Sequence, residues 1–214
     1  MSSLRAIGIL AVLALLPGIS PTRADTAGQF DYYVLSLSWS PNWCAQEGAA
    51  RGAAQCDRDL GWSLHGLWPQ YETGYPQDCA TSARDPSRAQ SDAMADIMGS
   101  GGLAWYQWKK HGRCSGLSGR DYYRLARQAY DNVTRPAILR QLRDPVRLPA
   151  HVIEEAFLEV NPGWTPDMLT ITCRDGAIQE ARLCLTRDDL TPRPCGRDVR
   201  RDCPLTDALF QPLP

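Results

Sequence analysis

The chain has 214 residues, 43% hydrophobic and 22% charged, and its 23 Lys and Arg against 24 Asp and Glu leave a formal net charge of −1. A protein of that balance cannot gather a polyanion through its overall field, so any such attraction has to be local. The apolar run over residues 6–16 is too short for a membrane span, which takes roughly 20 apolar residues.

In chain order, Arg5, that run, the breaker Pro17 and the close on Thr22-Arg23-Ala24 have the layout of a secretory leader, with cleavage expected after Ala24. Loss of Arg5 and Arg23 would leave 21 basic against 24 acidic side chains, a net charge of −3. The remaining ~190 residues suit one domain that buries roughly 70% of its unfolded surface. The expectation is therefore a leader over 1–24, a single domain over 25–214, a periplasmic or secreted location, and no membrane association in the mature form.

Residues 30–39 (FDYYVLSLSW) alternate and are rich in β-formers, which predicts a strand ended by Ser40-Pro41. Residues 62–68 (WSLHGLW) predict a second, stopped by Pro69. Helices are expected over 86–98, 103–113, 121–130 and 152–160 from their periodicity and flanking Pro, Gly and Ser. Strands over 168–173 and 181–186, separated by Arg174-Asp175-Gly176, read as a late hairpin. Helices gathered between strands predict an α+β fold: an antiparallel sheet packed with several helices.

The eight cysteines, Cys44, Cys56, Cys79, Cys114, Cys173, Cys184, Cys195 and Cys203, suit four disulfides in an exported chain, with roughly a hundred ways to pair them. No Cys-x-x-Cys pair favours zinc.

Three histidines exist, His65, His111 and His151. Strand alternation would put His65 on one face with Ser63 and Leu67, opposite Leu64, with Gly66 leaving room for a ligand. Helical spacing would gather Gln107, Lys110 and His111 beside Tyr106. Lys109 and Lys110 are the chain's two lysines; Lys109 suits a solvated face. Two imidazoles can act as base and acid, each transfer giving roughly 10²- to 10⁴-fold. A fixed ammonium and an amide N–H can stabilise negative charge on a phosphoryl group. That set suits attack of an RNA 2′-OH on its own phosphate, with no metal or other cofactor. His151 begins a predicted helix outside both motifs and reads as structural or surface. Asn132-Val133-Thr134 is an N-glycosylation acceptor pattern.

These stretches resemble the ribonuclease T2 family of exported, acid-type ribonucleases. The resemblance runs from Phe30-Asp31-Tyr32-Tyr33-Val34-Leu35 and Ser38-Trp39-Ser40-Pro41 through His65-Gly66-Leu67-Trp68-Pro69 and Lys110-His111-Gly112 with Cys114 to Asn161-Pro162-Gly163. It implies endonucleolytic cleavage of single-stranded RNA through 2′,3′-cyclic phosphates by a monomer. His111 would be the base, His65 the acid, and Lys110 the stabiliser of the phosphorane-like state, with Gln107 in support. It also implies the pairs Cys44–Cys56, Cys79–Cys114, Cys173–Cys203 and Cys184–Cys195. Trp68 resembles the family's base-stacking aromatic, helped by Tyr71 or Tyr75, and Gln70 stands where many relatives have Asp. Tyr106-Gln107 replaces the family's usual His-Glu. Gln107 keeps the length and an N–H donor without a titrating proton, and Tyr106 can offer its hydroxyl to phosphate. The alternatives are a metal-dependent phosphoesterase and a catalytically impaired relative that binds RNA or a partner.

Overall fold

The computed structural model describes residues 25–214, so the expected leader lies outside the described residues. The elements run β1 (Tyr32–Trp39), α1 (Ser40–Trp43), β2 (Trp62–Gln70), α2 (Arg88–Asp92), α3 (Ala95–Met98), α4 (Gly101–Lys110), α5 (Gly119–Asp131), β3 (Val146–Leu148), α6 (Ala150–Val160), β4 (Leu169–Arg174), β5 (Ala177–Thr186) and β6 (Ala208–Phe210). One six-stranded sheet has the order β2-β1-β5-β6-β3, with β4 also paired to β5. The α+β expectation holds, with one correction. The pairing of β5 with β6 through Ala177 and Leu209 is parallel, so the sheet is mixed. The three-residue strands β3 and β6 are too short to show a period in sequence.

β1 is paired along both edges, to β2 and β5, and is buried on both faces because a separate cluster packs on each. Tyr33, Leu35, Leu37 and Trp39 join the main core with Trp108 of α4 and Tyr122 of α5. Tyr32 and Val34 point the other way, into a smaller cluster with Cys184, Cys195 and Val199. The β4–β5 hairpin turns through Asp175 (φ 50°) and Gly176 (φ 76°), the two positive values a type I′ turn requires. β5 starts four residues earlier than expected, a difference that matters at the site.

Three other boundaries move for identifiable reasons. Pro69 does not stop β2, because an edge strand paired only to β1 tolerates a missing N–H. The helix expected over 86–98 divides. Ser87 caps α2 in a reciprocal box with Gln90, Met94 N–H then bonds Ser91 C=O in a tighter turn, and α3 ends at Gly99 (φ 86°). The helix expected over 103–113 begins at Gly101, capped by Ser100, and stops at Lys110. His111 leaves helical geometry (φ −120°, ψ −45°), and a tighter turn follows over Gly112–Ser115. At Gly112 a Cβ would lie 2.5 Å from Trp108 and 2.8 Å from Tyr122, so glycine lets the chain turn closely over the core there.

The disulfides are Cys44–Cys56, Cys79–Cys114, Cys173–Cys203 and Cys184–Cys195, the four pairs the resemblance implied. Cys79–Cys114 joins the segment after β2 to the turn after His111. Cys184–Cys195 ties central β5 to the segment carrying Asp198.

Candidate active site

The expected alternation of β2 fails at His65. Gly66 pairs with Ser36 and Leu64 with the next residue, Leu37, so β2 carries one extra residue, a β-bulge. Leu64 and Leu67, three apart, therefore both face the core, while His65 and Trp68 both line a cleft. The expected grouping of His65 with Leu67 is corrected by this one-residue shift, while His65 does lie opposite Leu64.

The cleft has a volume of about 480 Å³ and is lined by all eight predicted catalytic and substrate-binding residues: His65, Trp68, Gln70, Tyr75, Tyr106, Gln107, Lys110 and His111. Tyr71 is not among the lining residues, and its hydroxyl meets Asp25 at 3.5 Å. His151 lies on α6, outside the cleft. Tyr106 (50% exposed) and Tyr75 (48%) stand at the rim, whereas Gln107 and His111 are buried. Lys110 lies 6.0 Å from the Tyr106 ring centroid, and Lys109 is exposed beside Trp105. The three expected residues do share a patch, although His111 reaches it from beyond the helix end.

Trp68 organises the middle of the cleft. Its indole Nε1–H donates to Gln107 Oε1 at 2.8 Å. Because that indole nitrogen can only donate, Gln107 must offer it the carbonyl, leaving the amide NH₂ for the cleft. A Cβ at Gly66 would lie 2.3 Å from Trp68 Nε1 and 2.6 Å from Gln107 Oε1. The room beside Gly66 is thus taken by the protein's own hydrogen bond and not left for a ligand. The Trp68 ring lies 5.3 Å from that of His111, edge-on to His65 at 5.2 Å, and within 5.4 Å of the Arg182 guanidinium carbon.

Four charged residues at the cleft, Glu180, Arg182, Asp198 and Arg201, escaped the sequence reading. Glu180 on β5 is buried, and its Oε1 accepts a hydrogen bond from His65 Nδ1. Its Oε2 accepts from Arg182 Nε at 2.9 Å and Nη2 at 2.7 Å. Glu180 precedes the strand as expected over 181–186, so no period placed it on the sheet; alternation from the true start at Ala177 would have put it with Arg182 on one face. Arg201 and Asp198 also line the cleft. Cationic Lys110, Arg182 and Arg201 make it locally basic in a chain that is not basic overall.

The profile described as the Ribonuclease T2 family matches residues 30–195. The chain belongs to the ribonuclease T2 family. It is 43% identical over 148 residues to a ribonuclease of Aeromonas hydrophila, covering 68% of this chain and 62% of that protein. The chain spans about half the length of two further relatives, from Haemophilus influenzae and Solanum lycopersicum. Among solved structures, an RNase-related protein from Calystegia sepium has a TM-score of 0.67 at 17% identity, over 86% of this chain and 98% of that one. RNase NT in complex with 5′-AMP has a TM-score of 0.61 at 21% identity, over 87% and 99%. These likenesses show that the T2 fold extends over nearly all the described residues.

Burial and neighbouring charges together set the charge states of this T2-family cleft, and burial dominates at His111. It pushes His111 down from 6.5 to about 3, helped by the nearby charges of Lys110 and His65. Burial would raise the Glu180 carboxyl, but the hydrogen bond and charge of His65, then those of Arg182, outweigh it and hold it at about 2. In the unfolded chain His111 binds its proton below about 6.5 and Glu180 below about 4.5, whereas the fold resists both. Stability contributed by these groups is therefore complete above pH 6.5 and is lost as pH falls through about 3 for His111 and about 2 for Glu180. Urea-unfolding midpoints should decline steadily from neutral pH into this range, and His111→Ala should flatten the upper part of the decline. A midpoint constant down to pH 4 would contradict these assignments.

Proposed function

We propose that the mature protein is an exported endoribonuclease that cleaves single-stranded RNA by transesterification, with His111 as base and His65 as acid. The observation that carries this reading is the convergence, in one cleft, of a neutral buried imidazole, a second imidazole on a buried carboxylate, and a lysine. The 2′-oxygen attacks phosphorus while its proton passes to His111. The P–O5′ bond breaks as His65 protonates the departing oxygen, leaving a 2′,3′-cyclic phosphate. A phosphodiester in the cleft brings negative charge that opposes the Lys110 and His65 contributions to the low His111 value, making the imidazole a better proton acceptor once substrate is bound.

Lys110 and the free NH₂ of Gln107 supply positive charge and an N–H to the phosphoryl oxygens as negative charge builds there. A rigid amide in place of the family's usual Glu donates without having to titrate. Trp68, with Gln70, Tyr75 and Tyr106 around it, offers a flat surface for a base, worth roughly 1–3 kcal/mol of grip with little sequence reading. The leader expected over 1–24 and four disulfides support export and an oxidising location, periplasmic or extracellular. The chain would act as a monomer, without a cofactor.

The test is product analysis: purified mature protein on polyU should give oligonucleotides ending in 2′,3′-cyclic phosphate, with unchanged yield after exhaustive chelation. Binding without cleavage would support the catalytically impaired alternative, and chelator-sensitive cleavage the metal-dependent one.

A further inference from the structure

A carboxylate on the central strand of a sheet is an expensive residue to keep, because a buried ion pair stabilises no better than apolar side chains of the same volume. Glu180 lies there, 1% exposed, opposite Ser38 of β1, with Arg182 opposite Ser36. The small side chains of Ser36 and Ser38 leave room for Arg182 and Glu180 opposite them, and the Ser38 hydroxyl reaches Glu180 Oε1 at 3.5 Å. Arg182 occupies Oε2 through two N–H groups, and this fixes the carboxylate plane with Oε1 left for His65. A purely structural pair would end with Arg182. Here the second oxygen instead bonds a partly exposed imidazole that opens on the cleft.

We propose that Glu180, held by Arg182, is the positioning residue for the general acid. It takes the Nδ1–H of His65, keeps the Nε2–H directed into the cleft, and supplies the counter-charge that retains the imidazolium until the P–O5′ bond breaks. Glu180 is covered and touches no substrate, so it acts through His65 alone. This rests on the assignment of His65 as the acid. The charged and titratable groups that share the cleft with His65 are Arg182 from β5, Lys110 and Tyr106 from α4, His111 just beyond it, Tyr75, and Arg201 and Asp198 from the C-terminal segment, with Glu180 bonded to His65 beneath. With Glu180 neutral, the charges left in the cleft are those of Arg182, Lys110 and Arg201, opposed by Asp198 alone among the described residues.

Glu180→Gln keeps the volume and an oxygen that can accept from Nδ1–H while removing the charge. Its kcat on uridylyl-uridine should fall about 10²-fold, with KM unchanged. The alkaline limb of the kcat–pH profile should move to lower pH by about 1–3 units. Uridine 3′-(4-nitrophenyl phosphate) has a leaving group that departs without protonation, and on it the defect should nearly vanish. Glu180→Asp, which keeps the charge, should retain the parental alkaline limb, and it stands in if the Gln variant does not fold. Equal losses on the two substrates, or an unmoved alkaline limb in Glu180→Gln, would overturn the proposal. Failure of the parent itself to form cyclic phosphate would instead overturn the functional reading beneath it.

Discussion

Replacing either cleft histidine by Ala is expected to lower kcat/KM on RNA by about 10³- to 10⁴-fold, since in the proposed mechanism each removes a full proton transfer from the transition state. The two variants should differ in stability. His111 Nδ1 is buried without a hydrogen-bond partner, so truncation there removes an unsatisfied polar group and should leave the neutral-pH unfolding free energy nearly intact. His65→Ala leaves the Glu180 carboxylate with Arg182 as its only ion-pair partner among the described residues, and a loss of about 1–3 kcal/mol is expected from the lost bond to a buried charge. Single-turnover cleavage and urea unfolding on the same preparations separate the two effects. Near-parental turnover by either variant would remove that histidine from the mechanism.

The second large effect concerns Cys79–Cys114, whose cysteines are 35 residues apart in sequence. Closing a loop of that size restricts the unfolded chain by about 3–4 kcal/mol on the chain-entropy account. The Cys79→Ala, Cys114→Ala double variant should therefore melt well below the parent. Activity should fall as well, for a local reason. This bridge, and the Asp78 N–H bond to Lys110 C=O at 3.1 Å, hold the segment carrying Tyr75 against the end of α4 and the turn that follows it, where Lys110 and His111 enter the cleft. Calorimetry, and cleavage assays well below the melting range, check both parts. Unaltered kcat in the double variant would show that the bridge serves stability alone.

How far the site could be read in advance depends on how local its determinants are. His65, Lys110 and His111 stand in short segments with their own signatures, and Gln107 lies one helical turn before Lys110, so proximity in sequence already implied proximity in space. The bulge that turns His65 away from Leu67 has one local mark, the isolated Gly66 within the strand, but the register shift itself appears only in the pairing of β2 with β1. Glu180 lies 115 residues from His65, and only the register of β5 on β1 brings the two together. The helix expected over 103–113 overran its end for a similar reason: Gly112 reads as a helix stop only once Trp108 and Tyr122 are known to press against it. Boundaries set by capping and turn residues, such as Ser87, Ser100 and Asp175-Gly176, rest on local chemistry and can be recovered from the chain alone.

The bulge at His65 also bears on solubility. β2 is the last strand on its side of the sheet, and a terminal strand with a regular row of N–H and C=O groups is a template on which another copy of the chain can add. Within its nine residues β2 carries an irregular register beside His65 and a Pro at position 69 that has no N–H to give. An incoming strand would lose its ladder at both places. The irregularity that aims an imidazole into the cleft thus adds to the closure of an edge whose Leu67 and Trp62 carbonyls already accept from the Tyr122 and Tyr130 hydroxyls of α5.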